Sequence, residues 1–229
     1  MLDELRHMVL DANLALPAHG LVELTWGNVS GIDRERGLVV IKASGVPYEA
    51  MGIDDMVVVD MEGHVVDGGN PSTDTPTHLA LYRAFDEVGG VVHTHSTWAT
   101  AWAQAGRPIP VLGTTHADLS PADVPLARPL TDDEVAGEYE ARTGDVVVEA
   151  VGSRSIAEVP AVLVHSHGPF AWGTSPRAAV EIAVTLEEVA RMALLTEMLR
   201  PRGPTLPDAV REKHFSRKHG PGAYYGQRP

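Results

Sequence analysis

Gly90-Val91-Val92-His93-Thr94-His95-Ser96 and, one helix-like segment earlier, Ser72-Thr73-Asp74-Thr75-Pro76-Thr77-His78 are the two runs on which the reading of this chain turns. The valines that follow Gly89-Gly90 predict a short buried strand. His93 and His95 sit two apart at its end and project from one face, which is chelate spacing. A second His-x-His, His165-Ser166-His167, follows the apolar run Ala161-Val162-Leu163-Val164 and is placed by the same logic at a strand end. Periodicity puts His165 and His167 on the same side and does not choose between them. With Asp74 upstream in a Gly/Asn/Pro/Ser/Thr loop, three imidazoles and a carboxylate suit Zn²⁺ or a similar divalent ion, with room left for substrate.

Thr75-Pro76 reads as a helix N-cap followed by proline at the first helical position, the helix running to about Phe85. Ser72, Thr73 and Asp74 then lie just ahead of a helix N-terminus, a location that favours anions. The apolar strand Leu38-Val39-Val40-Ile41 delivers Lys42, Ser44 and the Gly45 backbone to a turn, where an ammonium, a hydroxyl and free N–H groups make a phosphate cradle.

Elsewhere the pattern is plainer. Leu2, Leu5, Met8, Val9, Ala12 and Leu16 recur at helical spacing, ended by Pro17 and Gly20. Met56 to Val59 and Val65-Val66 read as a hairpin, and Trp98 to Ala103 as a helix. Gly113 to Asp118 reads as a polar loop after a short apolar strand, and Val146-Val147-Val148 as a strand. Ser175-Pro176 opens a long helix that stops near Pro201. The tail from Arg211 to His219 is basic and reads as a solvated charged end.

At 229 residues and 44% hydrophobic, the chain can bury one substantial core, and no Pro/Ser-rich linker divides it, so one domain spanning 1–229 is expected. A net charge of −13 argues against nucleic acid or an anionic membrane as partner, so an anionic ligand must be held locally. There is no cysteine, hence no thiolate ligand. No basic leader or membrane-length apolar run is present, and a cytoplasmic protein is expected. G-x-G-x-x-G, G-x-x-x-x-G-K-[ST] and H-E-x-x-H are all absent, which removes the main support for nicotinamide, P-loop and metalloprotease readings. With lysine at 42, 213 and 218 alone, Schiff-base chemistry has few candidates. Metal chemistry on a small phosphorylated molecule remains.

The runs TWGNVSG, IKASGVPYE, PSTDTPTH, VVHTHSTWATAWAQAG, GTTHAD, HSHGPFAWG, LEEVA, RKHG and AYYGQ, in this order, resemble the class II sugar-phosphate aldolases and epimerases over nearly the whole chain. GTTHAD, HSHGPFAWG and the terminal AYYGQ point to the epimerase branch. The resemblance implies a single α/β domain with a central, mainly antiparallel sheet flanked by helices in three layers. Its implied activity is zinc-dependent inversion of L-ribulose 5-phosphate at C4 to D-xylulose 5-phosphate, by C3–C4 cleavage and recombination, with Mn²⁺ or Co²⁺ as possible replacements for zinc. By PSTDTPTH, HTH and HSHGPFAWG it implies His93, His95 and His167 as metal ligands, with Asp74 as a further ligand or close neighbour. By TWGN, IKASG and PSTD it implies substrate and phosphate contacts at Gly27, Asn28, Lys42, Ser44, Gly45, Ser72 and Thr73. By GTTHAD and AYYGQ it implies Asp118 and Tyr225 as the proton-transfer pair. It further implies a four-fold symmetric homotetramer with sites at subunit interfaces, and a tail, 207–229, that closes over an active site. An aldolase of the same superfamily that releases its fragments, and a non-catalytic module like the adducin head, are the competing expectations.

Overall fold

In a computed structural model the chain is described at residues 2–201, 203, 205–219 and 222–225; Gly226, Gln227 and the two terminal residues Arg228 and Pro229 lie outside the described residues. In chain order the elements are α1 (Leu2–Ala18), β1 (Asn28–Asp33), β2 (Leu38–Lys42), two 3-10 turns, β3 (Met56–Asp60), β4 (Val65–Asp67), α2 (Thr75–Ala84), β5 (Gly90–His93), α3 (Thr97–Gln104) and α4 (Thr114–Leu119). They continue with α5 (Asp132–Ala136), α6 (Tyr139–Val151), β6 (Ala161–Leu163), β7 (Pro169–Gly173), α7 (Pro176–Leu199) and α8 (Asp208–His219).

The seven strands form one sheet in the order β4-β3-β2-β1-β5-β7-β6, and every neighbouring pair is antiparallel. Strand alternation sends successive valines to opposite faces. Val40, Val58 and Val92 join one core with α1, α3 and α7, while Val39, Val57 and Val91 join a second with α2 and α6. Both faces are therefore covered, which gives three layers and explains why the inner strands read as continuous apolar runs. The single α/β domain and the mainly antiparallel sheet expected from the resemblance are both present.

Three local expectations fail. Val146-Val147-Val148 is not a strand but the middle of α6, whose buried residues Thr143, Val146, Val147 and Val151 recur at helical spacing and pack on α2. Packing against a partner helix outweighs the modest helix penalty of β-branched side chains. Gly113 to Asp118 is not a loop: its last five residues lie in α4, and the preceding apolar strand is reduced to a lone bridge between Ile109 and Val124. The basic tail is the helix α8, none of whose residues is buried, resting on α4. Two strands left unread, β1 and β7, flank β5 on either side, β1 at the centre of the sheet. Polar Asn28 and Ser30 disguise β1, and a leading proline disguises β7.

Strand β5 reaches that centre through Gly89 and Gly90. A Cβ at Gly90 would stand 2.4 Å from the Pro176 nitrogen, so the start of α7 is in backbone contact with the strand. Gly90→Ala is expected to destabilise the fold by about 3 kcal/mol in urea titration, because the clash is with backbone that cannot rotate away. Gly69→Ala, where no atom lies within 4 Å, is the control and is expected to stay within about 0.5 kcal/mol.

Candidate active site

His93 ends β5 and is buried, with Nδ1 3.0 Å from the Pro169 carbonyl oxygen. Donating its Nδ1–H there leaves the Nε2 lone pair for another partner. That partner is not a hydrogen-bonding group. His95 Nε2 lies 3.1 Å from His93 Nε2, and His167 Nε2 lies 3.1 Å from His95 Nε2. One nitrogen of each of the three rings falls within 4.8 Å of the others. Tetrahedral Zn–N bonds of ~2.0–2.1 Å separate their nitrogens by ~3.3 Å. The donor set and its spacing therefore fit a divalent ion. Burial pushes all three imidazoles below the ordinary histidine range, with the nearby Asp74 charge opposing, so they stand neutral with lone pairs available.

The pair His165 and His167 does not share a face, contrary to the strand-alternation reading. β6 ends at Leu163, and a turn closed by the His167 N–H on the Val164 carbonyl, 3.0 Å, carries Ser166 at φ 59°. That left-handed residue breaks the alternation. The His165 ring lies against Gly106 and pairs with Ser166 Oγ at 2.9 Å, while His167 turns to His95. Gly168 makes the approach possible: a Cβ there would sit 2.6 Å from the Thr94 carbonyl oxygen. Gly27 does the same on the other side, at φ 76° and with its would-be Cβ 2.9 Å from the His93 carbonyl oxygen.

One cavity of about 550 Å³ opens beside the imidazoles, lined by Gly27, Asn28, Lys42, Gly45, Ser72, Thr73 and Asp74 as well as the three histidines. Asp74 is outside the converging donor group. It holds the N-cap position of α2 but makes no capping bond; its Oδ2 accepts from Asn28 Nδ2 at 2.7 Å. Burial raises its pKa, but His93, His78 and the Asn28 hydrogen bond outweigh this and hold it below the usual range. Asn28 also donates to Ser72 Oγ at 2.9 Å, and its own Oδ1 is buried with no partner. Lys42 is buried at the end of β2, its ammonium 3.3–3.4 Å from two backbone carbonyls and 5.2 Å from the face of Tyr48. Burial lowers its pKa, with Asp55 opposing. No carboxylate is hydrogen-bonded to it among the described residues, so this cavity wall presents an ammonium whose stability calls for an anion. Ser44 is exposed and does not line the cavity; its N–H, expected to be free, donates to the Asn70 carbonyl at 3.0 Å.

Tyr139 and Glu140, which no motif signalled, also line the cavity, with Tyr139 stacked 6.4 Å from the His167 ring. They begin α6, the helix misread as a strand, and recognising that helix would have exposed its N-terminus as a site element. Trp26 stands half-exposed at the mouth, 6.2 Å from the His95 ring. Asp118 and Tyr225 are brought together, but elsewhere. Asp118 is bound by Arg217 and His214 of α8, the Tyr225 ring lies 4.3 Å from the Arg217 guanidinium, and neither residue lines the cavity.

Residues 7–194 match the family of the class II aldolase and adducin N-terminal domain. The chain belongs to this family. It is 58% identical to an L-ribulose-5-phosphate 4-epimerase of Salmonella paratyphi C over 99% of this chain and 100% of that protein. Among solved structures, an L-fuculose 1-phosphate aldolase superposes with a TM-score of 0.80 at 27% identity, over 92% of this chain and 94% of that one. The L-fuculose-1-phosphate aldolase of Thermus thermophilus gives 0.70 at 27% identity over 88% and 98%. The class II aldolase fold is thus matched over about nine-tenths of the chain, and the family match, residues 7–194, spans both histidine loops and α2.

If the three imidazoles form the metal site, His95→Ala and His167→Ala lower Zn²⁺ affinity by more than about 100-fold in chelator-competition titrations, beyond the loss typical of outer-shell changes. His165→Ala, with its ring against Gly106, stays within about three-fold of the unaltered protein.

Proposed function

We propose that the protein is an L-ribulose-5-phosphate 4-epimerase, interconverting L-ribulose 5-phosphate and D-xylulose 5-phosphate in the cytoplasm. The observation that carries this reading is the end-to-end likeness to proteins of that name, 58% identity over 99% of this chain and 100% of the relative. The site supports it physically, since one cavity offers a three-imidazole cluster on one wall and a buried ammonium on another. That pairing suits a molecule with a chelating ketose end and a phosphate end.

The substrate's chemistry sets what the residues must do. The hydrogen on C4 is not adjacent to the C2 ketone, so enolisation alone does not invert that centre. Removing the proton of the C4 hydroxyl and breaking C3–C4 sends the bonding pair toward the C2 carbonyl and leaves an enediolate and glycolaldehyde phosphate. Rotation of the aldehyde and re-addition on its other face inverts C4. In this reading Lys42, Gly45, Ser72 and Thr73, with the amides at the start of α2, hold the phosphate, and Ser44, outside the cavity, does so only if its loop turns inward. Gly27 gives the substrate close backbone approach, and the unpartnered Asn28 Oδ1 accepts a substrate hydroxyl. His93, His95 and His167 hold Zn²⁺, or Mn²⁺ or Co²⁺, with Asp74 as additional ligand or close neighbour. A divalent ion there supplies Lewis-acid stabilisation of the charge on the enediolate. Attack from two faces needs two proton-transfer groups, the roles of Asp118 and Tyr225.

Because Asp118 and Tyr225 do not line their own chain's cavity, a second copy must supply them. We take the assembly to be a four-fold symmetric homotetramer in which the tail, 207–229, closes over a neighbour's site.

Metal-replete protein is expected to convert L-ribulose 5-phosphate to D-xylulose 5-phosphate in a coupled assay, with loss of activity on chelation and in His93→Ala. Accumulation of free glycolaldehyde phosphate in place of epimer would replace the epimerase with an aldolase. Absence of any turnover in a metal-loaded, tetrameric preparation would sink both.

A further inference from the structure

We propose that Arg217 is a positioning residue that holds Asp118 and Tyr225 together as one proton-transfer unit. The inference rests on the roles given to those two residues above and goes beyond them. Three separate contacts converge on this arginine. Its Nε and one terminal nitrogen donate to the two Asp118 carboxylate oxygens at 3.0 and 2.6 Å. Its guanidinium carbon lies 4.3 Å from the centre of the Tyr225 ring. Its own backbone carbonyl accepts the N–H groups of Tyr224 and Tyr225 at 2.9 and 3.0 Å, folding the chain beyond α8 back onto that helix.

The chemistry of the guanidinium fits this double duty. It is planar, so one edge takes a carboxylate bidentately while a face remains for an aromatic ring. Lysine offers a point charge without the planar fork, so it does not grip both carboxylate oxygens while stacking on a ring. His214, 3.0 Å from Asp118 Oδ1, and His219, 2.9 Å from the Asp118 backbone carbonyl, fasten the same helix to α4. Lys218 reaches the Tyr225 ring at 5.4 Å and adds charge near Asp118. Arg217 joins the carboxylate by two hydrogen bonds and the phenol by stacking. Asp118 is also held below the ordinary carboxylate range: burial pushes it up, and the hydrogen bonds from Arg217 and His214 outweigh that. Asp118 is therefore held as the ionised carboxylate that a bidentate guanidinium contact requires.

The test compares Arg217→Lys, Arg217→Gln and Arg217→Ala with the unaltered protein in the metal-loaded assembly. Displacement of a proton-transfer group by an ångström costs on the order of 100-fold, so kcat is expected to fall about 100-fold even in Arg217→Lys. KM and metal content should stay within about three-fold, because Arg217 lines neither the cavity nor the histidine cluster. Added guanidinium ion should restore at least about ten-fold of the lost kcat in Arg217→Ala and methylammonium should not, a rescue that a general loss of stability does not give. Proteinase K digestion read by mass spectrometry should release the tail faster in Arg217→Gln than in the unaltered protein. Arg217→Lys with wild-type kcat, or loss of kcat without guanidinium rescue, overturns the proposal. If the unaltered protein does not epimerise, the functional assignment falls, and equal rates of tail release would then overturn the positioning role independently.

Discussion

The register of three central strands is the constraint from which the site follows. Asn28 of β1 pairs with His93 of β5, and His93 pairs with Phe170 of β7. That single row brings a cavity-lining amide, an imidazole of the histidine cluster and the turn that carries His167 side by side. His93 is fixed three ways: by the strand ladder, by its Nδ1 contact with the Pro169 carbonyl, and by stacking on Phe170 at 4.2 Å between ring centres. His95 and His167 are each held a short turn away from this anchor. A register slip of one residue would send His93 to the opposite face and scatter the three nitrogens.

A buried polar chain holds α2 in step with the same row. Ser30 Oγ, on β1, lies 2.7 Å from both Tyr82 OH and His78 Nδ1, which are successive-turn residues of α2. Such groups are costly inside a core unless paired, so their mutual hydrogen bonds specify one placement of the helix on the strand. Burial lowers the His78 pKa to about 4, so the imidazole joins this chain as a neutral ring. One turn up from His78, the start of α2 is thereby delivered to Asn28, and Asp74 and Ser72 meet its amide. Asn13 ties α1 to the adjacent Val29 backbone in the same manner, through hydrogen bonds to its N–H and carbonyl. The geometry of the cavity is thus set in part by polar groups that do not line it.

Much of this was legible because strand and helix periodicity report burial directly. Val91-Val92 before His93, and Ser175-Pro176 before an apolar helical stripe, obey local rules that the packing does not contest. Val146-Val147-Val148 failed because a β-branched run carries the same local signal whether its valines face a sheet partner or, as here, a helix. With α6 misread, Tyr139 and Glu140 at its start stayed hidden. β1 was missed because Asn28 and Ser30 look like loop residues until the hydrogen bonds that satisfy them are seen. His165 and His167 were beyond any periodicity argument, since a single left-handed residue, Ser166, turns one ring away. Asp118 and Tyr225 were paired by family resemblance alone, and no local pattern carries their placement at Arg217, away from the cavity.

The charge balance shows why so acidic a protein can still hold a sugar phosphate. A net charge of −13 spread over the surface repels an anion only weakly at short range, because at physiological salt the screening length is ~8 Å. What a phosphate in the cavity would feel is the nearest few groups, and at the end away from the Asp74 and Glu140 carboxylates these are Lys42 and the amide end of α2. The ammonium is buried, so its field is screened less than any surface carboxylate's. A second local concentration of positive charge is α8, which carries Arg211, Lys213, Arg217 and Lys218 and buries none of its residues against its own chain. Two of these are engaged within the chain, Arg211 with Asp208 and Arg217 with Asp118. In the proposed assembly, where this helix closes over a neighbour's cavity, its net charge adds to the same short-range field.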